Sequence, residues 1–455
     1  MIFLYYNFFL ISLGIVCLSL KKKVPKWITF VNLSFVLGII LFNYRFDITF
    51  TGEFGVHLLL DQTSRYFLLL SALVFTAVFM KGMSSTLSGL SSILLGILNL
   101  AFVSYDLFNI YVVVEAVSLV TFLMIVEGKR KIQYWSAFKY LVIGTVGMNL
   151  FLIGVAILYS ENGTLSISDI SRVSPLASSL ILVGLLLRSG VFLFSMWLPQ
   201  VHAESETVVS ALLSGVVVKS TVYGLLRVQN IVNWQVVKDL ALFSAIFGAV
   251  LVFLSKDYKR MLAYSTLSQV GIILVSPITA PVYALAHGIS KAWLFLLKDD
   301  LPGRDVTKWK KISFQVWFFL AIATLSIMGL PGFAGFVKIL VLDQLQSWEK
   351  FVLELAFIGT AASFWRLLLK TPDFSKQKFL GFYNLVLLVS SVLVGISYAE
   401  WNESFETILS MGIGFLIHLG FNRYKIDKYP LEDFEAMMGS YFLGVVIVCL
   451  LSLQL

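Results

Sequence analysis

At 455 residues the chain has the length of two or three soluble domains, but 58% of it is hydrophobic, only 13% is charged and its mean hydropathy is +0.89. That balance excludes a soluble globular protein and points to an all-α polytopic membrane protein. The net charge of +8 does not imply nucleic acid as a partner, because the basic residues fall in short clusters between apolar runs, where they orient a membrane chain.

In a bilayer the backbone must satisfy its own hydrogen bonds, and repeated apolar runs near 20 residues do so as helices; barrel strands are shorter and alternate. Sixteen candidate spans follow in chain order: 1–20, 27–43, 63–80, 86–104, 106–126, 134–159, 175–197, 206–228, 235–255, 258–276, 280–298, 312–345, 350–370, 379–398, 404–421 and 437–455. The first reads as a retained span, since Lys21, Lys22, Lys23 and Lys26 follow it and no small-residue cleavage site is evident. If odd-numbered spans end in the cytoplasm, 22 of the 34 Lys and Arg face it and 5 face the other side, which places both termini outside.

Asp61 precedes the third span as a helix cap. Glu115 lies in the fifth, Lys139 in the sixth, Arg188 in the seventh, Lys219 in the eighth, His287 and Lys291 in the eleventh and Lys338 in the twelfth. A charge at mid-bilayer costs from about 2.5 to over 10 kcal/mol, so such residues call for a functional account. Arg227 and Arg366 stand near span ends, where they are expected to snorkel to the interface. Lys259 and Arg260 read as topogenic, with a part for Lys259 in cytoplasmic entry as the lesser alternative, and His202 and Glu204 read as the polar end of the seventh span.

Two spans carry their own breaks. The seventh is expected to end at "MWLPQVH", with Pro199; the twelfth is interrupted by "MGLPGFAGF", Met328 to Phe336. Gly and Pro interruptions in two separated segments point to an inverted-repeat transporter. The cysteines, Cys17 and Cys449, lie in the first and last spans, and the four histidines are scattered without an HExxH pattern, so no metal, redox centre or other cofactor is indicated.

The stretch "MWLPQVHAESETVVSALLSGVVVKSTVYGLLR" resembles the W-L-P-x-x-H…S-x-x-L-x-G-x-x-x-K-x-x-x-Y-G-L-L-R signature of the antiporter-like membrane subunits. That family comprises the large ion-translocating subunits of respiratory complex I, of multisubunit Na⁺/H⁺ antiporters, and of membrane-bound hydrogenases and sulfane-sulfur reductases. "KDYKRMLAYSTLSQVGIIL", "SAFKYLVIGT" and "ALAHGISKAWLFL" are similar to further family motifs, and the resemblance runs from about residue 55 to 345. It implies fourteen core helices with two inverted five-helix repeats and broken helices 7 and 12, plus up to two C-terminal helices. The corresponding divisions are 1–80, 86–228 (helices 4–8), 235–370 (helices 9–13) and 379–455.

By the same resemblance Glu115 is the fifth-helix glutamate that pairs with a seventh-helix base, Lys219 the central eighth-helix lysine, Lys139 the sixth-helix lysine, His287 and Lys291 an eleventh-helix relay, and Lys338 the outer-exit group. Arg188 departs from the pattern: the family has lysine there, and a guanidinium keeps its proton at any attainable pH. The prolines usual after that lysine are also missing, leaving Gly190 as the flexible point.

The implied function is translocation of H⁺, or exchange of Na⁺ for H⁺, in a prokaryotic cell membrane, beside partner subunits that include paralogous antiporter-like ones. The chain is not expected to be an enzyme on its own. A subunit that keeps the fold but no longer conducts is the main alternative, favoured by Arg188. A polytopic membrane enzyme is disfavoured, because the loops are short and basic without paired carboxylates or a nucleophile with its base; the ordered motifs disfavour an independent solute carrier.

Overall fold

The computed structural model describes residues 1–50, 56–375, 381–398, 404–421 and 432–453. Helices α1 (Ile2–Ser19) and α2 (Trp27–Leu41) lead to a hairpin of β1 (Phe46–Thr49) and β2 (His57–Leu60), paired antiparallel with Phe46 opposite Leu60. Helices α3 (Gln62–Lys81), α4 (Ser85–Ala101), α5 (Leu107–Val126) and α6 (Lys131–Asn162) follow. Asp61, Ser84 and Asp106 start three of these, each side chain accepting a hydrogen bond from a backbone N–H of the first turn.

The seventh run divides into α7 (Pro175–Ser189) and α8 (Trp197–Glu204). The eighth is α9 (Thr207–Leu212), a π-helical turn over Leu213–Val217, and α10 (Val218–Arg227). Then come α11 (Trp234–Leu254), α12 (Tyr258–Val275) and α13 (Ala280–Leu296), the short β3 (Lys311–Ser313), α14 (Phe314–Met328), a 3-10 turn over Ala334–Lys338, α15 (Ile339–Leu342) and α16 (Ser347–Leu368). β4 (Thr371–Asp373) pairs in parallel with β3, and α17 (Tyr383–Ser397), α18 (Ser404–Phe421) and α19 (Phe434–Leu453) close the chain.

Among the described residues nine helices are long and apolar enough to cross a membrane, and six more are apolar over shorter lengths. The protein is therefore an all-α polytopic membrane protein. Helix α12 is absent from both sets, yet every residue in it except Arg260 is buried. Other helices screen it from lipid, so its Tyr, Ser, Thr and Gln need only protein partners.

Small residues let the helices approach. A Cβ at Gly147 in α6 would stand 3.0 Å from the carbonyl of Gly184 in α7, and one at Gly271 in α12 would stand 2.5 Å from that of Ala241 in α11. At the C-terminal end α17 packs on α3 and the 3-10 turn, α18 on α16, and α19 on α7 and α11.

Candidate functional site

Pro199 does not end a helix. Trp197, Leu198 and Pro199 open α8, where the proline's missing N–H is one that the first turn leaves unpaired anyway. The break lies before them: α7 stops at Gly190 (φ +87°), and Leu193 is held at φ +72°, which disfavours a branched side chain. The freed N–H groups are partnered, Gly190 by Ser195 Oγ (3.0 Å), Phe192 by Ser244 Oγ (2.9 Å) and Trp197 by the Tyr441 hydroxyl (3.2 Å).

Immediately before the break, Arg188 Nη2 donates to Glu115 Oε1 at 3.0 Å. The guanidinium faces the ring of Tyr140 at 5.8 Å and lies against Gly144. The larger head group is thus accommodated by α6, within the "SAFKYLVIGT" motif.

Lys219 is fully buried in α10. Its Nζ donates at 2.5 Å to the carbonyl of Ser214, five residues back inside the π-helical turn. Widening the helix to π there re-aims that carbonyl toward the ammonium. Ser214 Oγ meets Thr266 Oγ1 of α12 at 2.8 Å.

The second half repeats this chemistry. Lys291, fully buried in α13, donates to the Leu262 carbonyl of α12 at 2.7 Å. Lys338 folds back over the second break to the Met328 carbonyl at the end of α14, beside the Phe357 ring at 4.3 Å. A hydroxyl chain starts beside Lys291 in sequence and runs from Ser290 to Ser326 (2.8 Å) to Ser391 (3.0 Å). His287 is fully buried, has no hydrogen-bond partner on either ring nitrogen among the described residues, and lies within electrostatic reach of Lys219 and Lys291. Among the described residues no carboxylate comes within 4 Å of Lys219, Lys291 or Lys338.

Lys139 is more peripheral and does not snorkel: its Nζ donates to Gln200 Oε1 (2.8 Å) and to the Glu432 carbonyl (3.0 Å) at the start of α19. Arg227 and Arg366 are also buried, against the expectation of snorkelling. Arg227 forms a two-pronged pair with Asp61, 2.7 Å at each oxygen, between the rings of Tyr105 and Tyr223. Arg366 donates to the carbonyls of Ser255 and Val252 at the end of α11. Both long side chains turn inward, where a carboxylate in one case and carbonyls at the end of a helix in the other satisfy their N–H groups.

Two groups that read as peripheral in the sequence belong spatially with the buried row. His202 stacks on Phe295 at 4.7 Å, and among the described residues neither of its ring nitrogens has a partner. Lys259 is buried, and its Nζ donates to the Ser205 carbonyl at 2.5 Å. The signal for His202 was its place in the "WLPQVH" motif, and that for Lys259 its place in "KDYKRMLAYSTLSQVGIIL". Among the described residues no group of three or more His, Cys, Asp or Glu is placed to hold a metal ion.

Residues 104–363 match the model of the NADH:quinone oxidoreductase/Mrp antiporter transmembrane family. A Na⁺/H⁺ antiporter subunit from Alkalihalophilus pseudofirmus is 30% identical over 278 residues, 53% of this chain and 56% of that one. An NADH-quinone oxidoreductase subunit from Desulforudis audaxviator is 30% identical over 302 residues, 58% of this chain and 60% of that one. The match thus spans somewhat over half the length of these relatives. A chain of the membrane-bound sulfane sulfur reductase, an archaeal respiratory membrane complex, shares the fold with a TM-score of 0.79 at 19% identity, over 93% of this chain and 99% of that one. The family model accounts for more than half of the sequence and contains both breaks and Glu115, Lys139, Arg188, Lys219, His287, Lys291 and Lys338, so the chain belongs to the NADH:quinone oxidoreductase/Mrp antiporter transmembrane family.

Proposed function

We propose that this chain is the ion-translocating membrane subunit of a multisubunit redox-driven or antiporter complex. It moves H⁺, or exchanges Na⁺ for H⁺, along Glu115, Arg188, Lys219, His287, Lys291 and Lys338, with Lys139 at the edge. Electron transfer or the remaining antiport machinery belongs to partner membrane subunits, paralogous antiporter-like ones among them. The family supports this reading, and one observation carries it: Lys219, Lys291 and Lys338 are each held by a neutral carbonyl and, among the described residues, by no carboxylate. An amine in that setting can give up its proton and take it back. With no anion to cancel it, each charge is felt by the next group in the row.

The alternative, a subunit that keeps the fold without conducting, draws on Arg188, whose guanidinium cannot exchange a proton. The decisive experiment is to purify the complex with its co-purifying subunits, reconstitute it in proteoliposomes and record gradient formation. Lys219→Ala is expected to abolish the gradient with the complex intact. Wild-type gradient formation by Lys219→Ala would remove Lys219 from the path, and a wild-type complex that forms no gradient would leave the structural reading.

A further inference from the structure

The two helix breaks share a backbone. The first, "GVFLF" (190–194), holds Gly190 at φ +87° and Leu193 at φ +72°; the second, "GLPGF" (329–333), holds Gly329 at φ +93° and Gly332 at φ +89°. In each, two left-handed residues stand three apart and a phenylalanine follows.

What keeps the two turns in place differs. The second closes on itself: both left-handed positions are glycine, and Pro331 between them cannot continue a helix. Its N–H groups find backbone partners, Gly329 (3.1 Å) and Leu330 (3.0 Å) on the Leu325 carbonyl and Phe333 on that of Leu330 (3.2 Å). The first has leucine at its second left-handed position and no proline before Pro199, and Gly190 and Phe192 donate to the hydroxyls of Ser195 and Ser244. A leucine pays a steric cost there that glycine does not, so contacts from outside the turn must hold it.

Helix α19 makes those contacts. Ser440 donates to the Leu193 carbonyl at 3.1 Å, as well as to the Met437 carbonyl of its own helix at 2.7 Å, and Tyr441 accepts the Trp197 N–H at 3.2 Å. A Cβ on Gly444 would stand 2.7 Å from the Phe194 ring. The same pattern meets the second break from α17: Ser391 accepts the Ala334 N–H at 3.2 Å, and a Cβ on Gly395 would stand 2.6 Å from the carbonyl carbon of Gly332. "SYFLG" (440–444) and "SVLVG" (391–395) thus both read Ser-x-x-x-Gly, a hydroxyl and a flat spot one turn apart, which lets helices in lipid approach closely. Both helices lie outside residues 104–363, the part that the family model matches. At the second break the motif adds to a turn that already closes on its own backbone; at the first it reaches the left-handed leucine itself.

We propose that α19 is the clamp on the first break: Ser440 and Tyr441 hold at Leu193 the left-handed turn that the second break makes with glycine. The turn sets where α7 stops, and Arg188 stands two residues before Gly190 with its guanidinium on Glu115 at 3.0 Å, so the clamp also fixes the base of that pair. Released from α19, Leu193 leaves the left-handed region and the segment from Gly190 to Trp197 opens. The clamp concerns the conformation of the break and does not rest on which ion the subunit moves.

The test is hydrogen–deuterium exchange over residues 190–197 in the purified complex, read by mass spectrometry in two backgrounds. In the wild-type background, Ser440→Ala with Tyr441→Phe is expected to speed exchange there at least tenfold. In the Leu193→Gly background, where glycine occupies both left-handed positions, the same pair is expected to speed it less than threefold. Comparing ratios within each background cancels the effect of the glycine alone. No acceleration in the wild-type background would overturn the clamp, since the break then holds without α19. Equal acceleration in both would overturn it too, since α19 would then satisfy two polar groups without holding Leu193. If the double variant does not assemble, Tyr441→Phe alone, compared in the same two backgrounds, decides in the same terms.

Discussion

Gly144 and Arg188 occupy one space: a Cβ on Gly144 would overlap the guanidinium carbon of Arg188. The glycine of α6 is therefore what lets the Arg188 guanidinium reach Glu115. Gly144→Ala must push the guanidinium aside and is expected to destabilise the protein by about 1–3 kcal/mol, the usual range for overpacking. Melting temperature in detergent measures this. The double variant Gly144→Ala with Arg188→Lys is expected to recover most of the loss, because the slimmer amine does not fill the space; no recovery would mean that the alanine clashes with something else.

Asp61 ties two distant parts of the chain. It caps α3 through Ser64 and holds Arg227 of α10. Asp61→Ala strands a buried guanidinium between two tyrosine rings, so the expected loss lies toward the low end of about 3–5 kcal/mol, since the carboxylate itself is partly exposed. Thermal unfolding of the purified complex checks it, and a change below about 1 kcal/mol, as for a weak surface pair, would count against the assignment.

The same pair has a pH signature. Burial on its own raises the Asp61 carboxyl, but the hydrogen bond and charge of Arg227 outweigh it and hold the group below the ordinary Asp range. A carboxyl lowered on folding contributes stability that is fully present above its unfolded value, about 3.9, and is lost as pH falls through the lower native value. Melting temperature is expected to drop below about pH 4 by less in Asp61→Asn than in the wild type. Equal acid sensitivity of the two would show that other carboxyls set it.

Helix α19 bears on the first break. Tyr441 accepts the Trp197 N–H, Ser440 donates to the Leu193 carbonyl at 3.1 Å, and Gly444 lies against the Phe194 ring. Tyr441→Phe leaves a buried backbone N–H unpaired and is expected to cost about 1–3 kcal/mol. Gly444→Leu is expected to lift the helix off, read as faster protease cleavage between α18 and α19; unchanged cleavage would mean the contact is dispensable.

Much of this architecture was legible in the sequence, for identifiable reasons. Apolar run length located the spans, and Asp61 declared itself as a cap by standing just before one. Charge within the spans was visible because Glu115, Lys219 and Lys338 interrupt apolar runs. What stayed hidden depended on partners distant in sequence. Arg227 and Arg366 looked free to reach headgroups until Asp61 and the α11 carbonyls were brought beside them. Pro199 misled because proline both ends helices and begins them, and only the left-handed turn at Gly190 shows which applies. Helix α12 has few lipid-facing positions, so hydropathy understates its burial.

The π-helical turn at Leu213–Val217 holds one residue more than an α-helix of the same length. Deleting a single residue there would let the helix close while leaving α9 and α10 in place, and the Ser214 carbonyl would return to the ladder. The ligand that Lys219 uses is thus supplied by a count of residues and by no side chain. Point substitutions that keep the count leave it in place; a one-residue gap removes it. Comparison of relatives for the Lys219 site should therefore score insertions and deletions across this turn as carefully as the lysine itself.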